Sequence, residues 1–377
     1  MVIAVNTRLL IASKMDGIGW FTAETMRHIT TSHPDVEFHF LFDRRPDPQF
    51  LYGPNVKAIV LPPPARHPLL WFIFFEISVA LYLTRTKPDL YLSPDGFIPL
   101  QTKTPTLAVI HDINFEHDPT YLRHSHQRYM QHYFPLYARR ATRVATVSEY
   151  SRADIAATYG VDPKNIDVVY NGSNSLYHPL NSEECQAVRN QYCQGRPYFI
   201  FVSTILKRKN LTGVLRAFDL YKQRRPDDES RLIVVGHRVW WQDELRETYE
   251  NMRHKAEVDF VGHADVTDLS RMVGAAQALV YPSLFEGFGI PIVEAFSAGT
   301  PVITSNVTSM PEIAADAALI VDPHDHTQIA DAMVRIATEP ELRHSLIERG
   351  LRRSTDFSWQ RSADLLWQSM MKTIRQQ

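Results

Sequence analysis

Short apolar, β-branched runs alternate with longer stretches of helical periodicity along most of the chain. Most of these runs are continuously apolar, which is typical of strands buried on both faces of a parallel sheet. Helical segments between such strands predict right-handed βαβ crossovers. The predicted strands cover residues 2–6, 36–42, 57–61, 89–93, 106–111, 143–148 and 166–170, and then 198–203, 231–236, 258–262, 278–283, 301–305 and 318–322.

The two series of strands are separated by residues 171–197, a stretch rich in Asn, Ser, Gly and Pro. Such composition predicts a linker between two domains. A chain of 377 residues is also long enough for two domains of about 150 residues each. Parallel α/β sheets bind ligands at the carboxyl ends of their strands, so two facing sheets would place those ends on either side of one cleft.

Composition excludes several classes of protein. The formal net charge is −2, which gives no reason to expect nucleic acid as the main partner. Cys185 and Cys193 are the only cysteines and make no disulfide framework, which favours a reducing compartment. The first ten residues lack the features of a signal peptide. The most hydrophobic stretch, residues 69–83, contains Glu76 and is shorter than a bilayer requires. It predicts a buried helix packed on a sheet, with interfacial attachment as the alternative.

Two carboxylates flank a glycine-rich turn after the predicted strand 278–283. Glu286 and Glu294 are eight positions apart, and the helix that follows should begin near Pro291. Gly287 and Gly289 would let the backbone approach a ligand and expose amide groups that stabilise an anion. The arrangement predicts a pocket in which both carboxylates accept hydrogen bonds from hydroxyl groups.

Residues 281–303, YPSLFEGFGIPIVEAFSAGTPVI, resemble the E-x7-E signature of retaining GT-B glycosyltransferases of family 4. The resemblance extends over essentially the whole chain. Residues 202–218 look like the donor-phosphate loop and helix of the family, residues 261–283 like its base-binding segment, and residues 357–367 like its last helix. The resemblance implies an α/β protein of GT-B type, with two Rossmann-like domains whose parallel sheets face a central cleft.

The resemblance also implies domain bounds. An N-terminal acceptor-binding domain would cover residues 1–175, and a C-terminal nucleotide-sugar-binding domain would cover 190–355. Residues 356–377 would form a helix that returns to the N-terminal domain.

In the family, the residue matching Glu294 holds the ribose hydroxyls of a nucleotide sugar, and the one matching Glu286 contacts the transferred hexose. Backbone amides matching those of Phe288, Gly289 and Ile290 touch the sugar and the diphosphate.

Three cations, Lys207, Arg208 and Lys209, follow the strand 198–203. The ordinary interpretation is a solvated loop, but the resemblance places Lys209 against the donor diphosphate, where a cation stabilises the leaving phosphate. Many members carry Gly-Arg at the end of the preceding strand, whereas this chain has Ser203-Thr204 and a shorter loop. Thr204 is therefore counted with the donor-binding positions, and Arg208 is assigned to supply the missing guanidinium.

The predicted N-terminal domain carries a second set of candidates. Gly17 and Gly19 resemble a glycine loop that approaches the donor in the family. A dinucleotide-binding fingerprint ending at Asp43 is the rival interpretation, but these glycines lie about ten residues past the first strand. The family commonly has a His near the reacting carbon at the place of His111, and Asp112 would help to bind the acceptor.

Three further features bear on function. His263 falls where the family's loop touches the donor base. The segment 121–148 contains five Arg, three His and no acidic residue, so it is either a solvated helix face or a surface for anionic lipid or a phosphorylated acceptor. The run His324-Asp325-His326 predicts a loop because no further ligands lie at metal-site spacing. No D-x-D metal motif is apparent, so no metal or cofactor is expected.

The resemblance implies a retaining glycosyltransferase that moves a hexose from a nucleoside diphosphate sugar to a hydroxyl group. The motifs VSTILKRKN and TSNVTSMPE look most like bacterial mannosyltransferases of polysaccharide assembly, which favours GDP-mannose over a UDP-hexose as donor. The acceptor would be a glycan or a lipid-linked sugar, and the location cytoplasmic or peripheral on the inner face of the membrane. A GT-B epimerase, a phosphorylase and a non-catalytic nucleotide-sugar-binding protein remain alternatives.

Overall fold

The computed structural model describes residues 1–12, 15–119, 122–237 and 243–376. Each strand predicted from the continuous apolar runs is confirmed, with ends that differ by at most two residues. The strands are β1 Val2–Asn6, β2 Glu37–Phe42, β3 Val56–Val60, β4 Leu90–Ser93, β5 Thr106–Val109, β6 Arg143–Thr146, β7 Ile166–Val168, β8 Tyr198–Val202, β9 Arg231–Val235, β10 Val258–Gly262, β11 Ala278–Tyr281, β12 Val302–Ser305 and β13 Leu319–Val321.

The strands form two parallel sheets. The order of the first sheet is β3-β2-β1-β4-β5-β6-β7, and that of the second is β10-β9-β8-β11-β12-β13. The chain divides into two units, which we call unit 1 (residues 1–172 and 358–377) and unit 2 (residues 173–357). Each unit contains one sheet with helices packed against it, as the alternation of strands and helices predicts.

The helices connect successive strands or follow them. In unit 1 they are α1 Gly17–Ser32, α2 Pro68–Thr86, α3 Asn114–His117, α4 His124–Arg140, α5 Glu149–Tyr159 and the last helix of the chain, α14 Trp359–Arg375. In unit 2 they are α6 Ser182–Cys193, α7 Leu211–Arg224, α8 Asp243–Asn251, α9 Val266–Gly274, α10 Ile290–Ser297, α11 Met310–Ala314, α12 His326–Thr338 and α13 Pro340–Ser354. Short 3-10 turns cover Pro48–Phe50, Pro163–Asn165, Lys207–Lys209 and Lys255–Glu257.

The sheet of unit 1 is buried on both faces. Ile3 and Val5 of β1 point into a core shared with α1 and α14, to which Trp359 and Leu366 contribute. Ala4, between them, points into a second core formed with α2, α4 and α5. Because both faces are covered, the strand has no polar face, which explains its continuous apolar sequence.

The predicted linker, residues 171–197, is partly wrong because it contains α6. Asn181 caps this helix: its side chain accepts from the backbone N–H of Glu184, and the Glu184 carboxylate accepts from the backbone N–H of Asn181. This reciprocal pair is a capping box. The spacing Asn-x-x-Glu was the sequence signal that could have revealed the helix.

The prediction that residues 69–83 form a buried helix is correct for one face only. Helix α2 is one continuous helix whose middle, Ile73–Val79, is π-helical. Phe74, Phe75 and Val79 are buried in the core of unit 1, whereas other apolar side chains of the same helix are exposed. Among the described residues it is the one helix with the length and apolar composition of a membrane span, which by itself is weak evidence.

Candidate functional site

The strand order of the second sheet reverses between β8 and β11. Strands β9 and β10 lie on one side of this point, and β12 and β13 lie on the other. Open α/β sheets bind ligands at such a switch point, beyond the carboxyl ends of the two strands. The loop after β8 carries Arg208 and Lys209, and the loop after β11 carries Glu286. The topology of unit 2 therefore brings together residues that are 77 and 78 positions apart in sequence.

Glu286 holds both cations of the first loop. The Lys209 ammonium lies 2.6 Å from one carboxylate oxygen of Glu286, and Arg208 Nη1 lies 3.1 Å from the other. Arg208 also donates to the carbonyl of Phe285 at 2.9 Å. Lys207, by contrast, is exposed. The solvated-loop interpretation therefore holds for Lys207 but not for the two residues that follow it.

Tyr281, the last residue of β11, completes this cluster and was missed by the sequence analysis. Its hydroxyl donates to Glu286 at 2.8 Å and accepts from Lys209 at 3.0 Å. Burial alone would raise the pKa of the Glu286 carboxyl, but the charges of Lys209 and Arg208 outweigh burial and hold that pKa at about 2. Glu286 is therefore ionised throughout the physiological range, and its charge compensates part of the charge of the two cations.

Helix α10 begins directly after this cluster. Gly289 precedes its first residue and has φ 96°, a left-handed conformation that favours glycine. Ser309 fixes the approach to the helix because its hydroxyl contacts the carbonyl oxygens of Glu286 and Phe288, at 2.9 and 3.1 Å. The first amide groups of a helix stabilise anions, so the residues predicted to touch the diphosphate, Phe288, Gly289 and Ile290, lie at a suitable place.

Glu294 is the fifth residue of α10, and its carboxylate is hydrogen-bonded to the hydroxyl of Tyr177. Burial raises the pKa of Glu294 to about 7, and the bond from Tyr177 opposes that shift. Tyr177 itself is buried. The segment around it is also attached to α10 by a contact of 2.9 Å between the hydroxyl groups of Ser173 and Ser297. The two glutamates thus differ: one is held ionised by cations, and the other has a pKa close to neutral pH.

Asn210 joins the cation-bearing loop to its surroundings and was also missed. Its backbone is left-handed with φ 60°. Its side-chain oxygen caps α7 by accepting from Gly213 N–H at 3.2 Å, and its amide nitrogen donates to the carbonyls of Pro282 and Pro323 at 3.0 and 2.7 Å. One side chain therefore fixes the position of the loop that precedes α7.

We expect Asn210→Ala to lower the free energy of unfolding by about 2–4 kcal/mol, because it removes a cap and two hydrogen bonds at once. The matched control is Asn181→Ala, which removes the capping side chain of α6 at an exposed position and should cost about 1 kcal/mol. Differential scanning calorimetry measures both. Equal losses for the two variants would show that the bonds to Pro282 and Pro323 contribute nothing.

The two remaining donor candidates of unit 2 are Thr204 and His263. Thr204 follows β8 and has an exposed side chain. His263 follows β10, and its imidazole stacks on that of His237, with 4.7 Å between the ring centroids and an angle of 10°. Neither residue belongs to the hydrogen-bonded cluster around Glu286.

The candidates of unit 1 lie near the carboxyl ends of its strands. Gly17 and Gly19 belong to the first turn of α1 rather than to a loop, and the Asp16 side chain caps that helix through Gly19 N–H at 2.9 Å. A Cβ atom at position 19 would lie 3.2 Å from the Leu9 carbonyl oxygen, so glycine fits a tight contact there. The glycines therefore begin a helix, which corrects the expectation of a glycine loop.

His111 follows β5 and packs edge-on against Phe21 of α1, with 4.9 Å between the ring centroids. Its Nε2 atom is 2.9 Å from the Pro94 carbonyl oxygen, which can only accept a hydrogen bond. Nε2 therefore carries the hydrogen of the neutral ring, and Nδ1 does not. Burial lowers the pKa of His111, so the neutral imidazole is favoured. Asp112 accepts from Asn114 N–H at 3.0 Å.

An ion pair at the switch point of the first sheet was missed by the sequence analysis. Arg8 follows β1 and Asp95 follows β4, and their side chains are 2.6 Å apart and buried. Asn6 also donates to Asp95 at 2.7 Å.

The dinucleotide fingerprint is not supported: Asp43 is buried, binds Arg44 at 2.6 Å and accepts from Ala65 N–H at 2.8 Å.

The run His324-Asp325-His326 was predicted to be a loop, which is wrong for His326 because it is the first residue of α12. Asp325 caps α12 by accepting from the N–H groups of Thr327 and Gln328, at 2.9 and 3.3 Å. Within the described ranges, no three His, Cys, Asp or Glu side chains are grouped to hold a metal ion.

The basic segment 121–148 consists mainly of α4 and β6, and its Tyr121 lies outside the described residues. One of its arginines, Arg143, is buried and paired with Asp167 at 2.9 Å.

Comparison with known proteins agrees with the two-unit organisation. Residues 15–175 match the model of Glycosyltransferase Family 4, and residues 187–353 match that of Glycosyl transferases group 1. The O-antigen chain mannosyltransferase B of Escherichia coli is 32% identical over 73% of this chain and 72% of its own length. The O-antigen chain mannosyltransferase RfbU of Salmonella typhimurium is 27% identical over 76% of each chain.

Among solved structures, that of Anabaena HepE in complex with UDP and glucose superposes with a TM-score of 0.74, at 16% identity, over 98% of this chain and 99% of its own. The GT-B fold class predicted from the sequence is thereby confirmed. The chain belongs to the family 4, or group 1, glycosyltransferases. Within that family it is similar to enzymes named as O-antigen mannosyltransferases.

Proposed function

We propose that this glycosyltransferase moves mannose from a nucleoside diphosphate mannose to a hydroxyl group of a glycan or a lipid-linked sugar, with retention of the anomeric configuration. The observation that carries the proposal is the cluster of Arg208, Lys209 and Glu286 beside the N-terminus of α10. The two cations carry one more charge than Glu286, and the helix N-terminus adds partial positive charge, so the cluster attracts a diphosphate. The similarity to named mannosyltransferases supports the choice of sugar.

In the proposed donor site, different residues bind different parts of the nucleotide sugar. Lys209, Arg208 and the amides from Phe288 to Ile290 would bind the diphosphate and stabilise the charge that grows on it as the sugar leaves. Glu294 would accept from the ribose hydroxyls. Glu286 would orient the two cations and accept from a hydroxyl of the transferred hexose with its remaining lone pairs.

Unit 1 would bind the acceptor. Asp112 is proposed to contact it, and the Nδ1 atom of His111 to contact the transferred sugar. In the retaining mechanism proposed, the leaving phosphate takes the proton of the attacking hydroxyl, and the new bond forms on the face from which the diphosphate departs. No covalent bond to the enzyme is required, and the carboxylate of Glu286 then serves as an electrostatic and orienting group.

The proposed donor base rests on the relatives. GDP-mannose is preferred because the similar relatives bear mannosyltransferase names. HepE is described in complex with UDP and glucose, but at 16% identity it supports only the fold. We further propose a cytoplasmic location, with peripheral attachment to an anionic membrane through the basic segment 121–148.

A thermal-shift panel tests the donor. The full chain is heated with GDP, GDP-mannose, UDP, UDP-glucose and UDP-galactose, each at a concentration well above the expected dissociation constant. A ligand at 100 times its dissociation constant stabilises the folded protein by about 2.7 kcal/mol, which gives a measurable shift. GDP and GDP-mannose should give the largest shifts. A larger shift with a UDP sugar would reassign the base, and no shift with any nucleotide would contradict the donor site.

The cations of the donor site lead to a prediction about metal ions. If Lys209 and Arg208 neutralise the diphosphate, transfer activity should stay within about twofold after treatment with EDTA. The measurement is the rate of nucleoside diphosphate release with acceptor present, before and after chelation. Complete loss that magnesium or manganese restores would show that a divalent ion does this work instead.

A further inference from the structure

The surface of unit 1 contains a concentration of exposed apolar side chains. Of the eleven large hydrophobic residues exposed in the described part of the chain, five lie on the neighbouring helices α2 and α4. Their exposed fractions range from 36 to 63%. They are Leu69, Phe72, Ile77 and Leu81 on α2, and Leu136 on α4.

Helix α2 is apolar on both its inner and its outer face. Phe74, Phe75 and Val79 fill the core of unit 1 on the inner face. Leu69, Phe72, Ile77 and Leu81 recur every three to five residues on the outer face, where a surface helix of a soluble protein normally carries polar residues. The acidic residue of this helix, Glu76, is half-buried, and its carboxylate accepts from Leu100 N–H at 3.1 Å. An apolar stripe therefore extends along the outer side of α2.

Helix α4 lies beside this stripe and carries positive charge. The rings of Phe72 and Tyr133 are 6.3 Å apart, and those of Trp71 and Tyr129 are 5.4 Å apart. The exposed residues of α4 recur at helical spacing and form one face. They are His124, Ser125, Arg128, His132, Leu136, Arg139 and Arg140.

The arginines of this face have no acidic neighbour along their own segment, because residues 122–148 contain neither Asp nor Glu. Arg139 donates to the carbonyl of Tyr159, and Arg140 donates to those of Leu100 and Thr102. These partners are uncharged backbone carbonyls, and within the described part of the chain neither arginine forms an ion pair. An apolar stripe bordered by charge of one sign is the pattern of a helix that lies in a membrane interface.

We propose that the outer face of α2 and the cationic face of α4 together bind the surface of an anionic lipid bilayer, with α2 lying in the plane of the interface. Leu69, Phe72, Ile77 and Leu81 enter the boundary between headgroups and acyl chains, while Arg128, Arg139 and Arg140 contact lipid phosphates. This goes beyond electrostatic attraction by the segment 121–148, because the apolar stripe of α2 contributes insertion. It does not depend on the donor assignments in unit 2.

Two other occupants fit less well. A spanning orientation would require α2 to leave the core of unit 1, where Phe74, Phe75 and Val79 are buried. A second copy of the chain docked symmetrically on this face would place the arginines of the two α4 helices near one another, and like charges oppose such docking. An anionic bilayer supplies both an apolar layer and negative charge.

The proposal is tested by sedimentation of the full chain with vesicles. One set contains phosphatidylcholine alone, and the other contains phosphatidylcholine with about 30% phosphatidylglycerol, each at low and physiological salt. We expect at least about tenfold stronger binding to the anionic vesicles, weakened but not abolished by salt. Equal binding to the two sets of vesicles, or no binding to either set, would overturn the proposal.

Matched variants separate insertion from charge. Ile77→Gln/Leu81→Gln should reduce binding to anionic vesicles at least about tenfold, and Arg128→Gln/Arg139→Gln should reduce it about tenfold. The control Ile320→Gln changes an exposed residue on β13 of unit 2 and should leave binding unchanged. A second pair, Leu69→Gln/Phe72→Gln, should repeat the first result, which guards against misfolding of one variant.

Oligomeric mass, release conditions and nucleotide binding distinguish insertion into a bilayer from dimerisation, from a spanning helix and from misfolding. Light scattering should give the same mass for the wild type and for Ile77→Gln/Leu81→Gln. A wild type that is dimeric and a variant that is monomeric would instead assign the face to a second copy of the chain. Bound protein should be released by high salt together with alkaline carbonate, and resistance to both would indicate a spanning helix. The thermal shift with GDP should persist in every variant, so failure of the membrane proposal and failure of the donor proposal are distinguishable.

Discussion

Replacing Lys209 with methionine should reduce the transfer rate about 100- to 1,000-fold, because it removes a fixed cation from the position where charge grows on the leaving diphosphate. Nucleoside diphosphate affinity should fall about 10- to 100-fold, as expected for the loss of one charged hydrogen bond. The ammonium of Lys209 contacts Glu286 at 2.6 Å and Tyr281 at 3.0 Å, so methionine also leaves Glu286 with fewer partners. A steady-state assay and calorimetry measure the two effects.

The matched control for this variant is Lys207→Met. Lys207 belongs to the same short turn and carries the same charge, but its side chain is exposed. It should keep the rate and the affinity within about twofold. If the two variants lose activity equally, the effect comes from the net charge of the loop, and the geometry around Glu286 is irrelevant to it.

The two glutamates of the signature should separate in binding and turnover. Glu294→Ala should weaken binding of the free nucleoside diphosphate by about 1.5–3 kcal/mol, and should raise KM for the donor to a similar extent. The reason is that a contact with ribose is the same in the ground state and the transition state. Tyr177→Phe is the control, because it removes the hydroxyl that binds Glu294 but keeps the carboxylate.

Glu286→Ala should instead lower kcat about 100-fold or more, because Arg208, Lys209 and the hexose lose the group that orients them. Free nucleoside diphosphate affinity should change less than about threefold, since the loss of orientation is offset by the removal of a negative charge beside the cations. Calorimetry and a product assay on both alanine variants measure the two effects. Weaker nucleotide binding in Glu286→Ala but not in Glu294→Ala would reverse the two roles.

The strands could be predicted because each is buried on both faces, which imposes a continuous apolar run whatever lies at its ends. The start of α10 near Pro291 was also predictable, from a glycine turn followed by proline. The outer face of α2 was not, because a helix that is apolar all round gives no periodicity to show which side faces the core. Helix α6 was missed because its Asn-rich surroundings were interpreted as a linker, although Asn181 and Glu184 have capping-box spacing.

The sequence predicted the charged residues of the candidate site but not the neutral residues that contact them. Motif resemblance identified Arg208, Lys209 and Glu286, but it could not show that both cations bind the same carboxylate. That pairing depends on β8 and β11 being adjacent, which is a property of the strand order. The contacts of Tyr281 with Lys209 and of Asn210 with Pro282 depend on the same strand order, so these two residues were missed for the same reason.

Formation of a glycosidic bond with retention of configuration can be observed in the product itself. The full chain is incubated with α-linked GDP-mannose and a panel of mannose-terminated oligosaccharides, and the products are followed by proton NMR at the anomeric position. We expect release of GDP together with a new α-mannoside on an acceptor. A β-mannoside would contradict retention. In the absence of any glycoside, mannose phosphate would favour a phosphorylase, free mannose a hydrolase, and an epimer of mannose an epimerase.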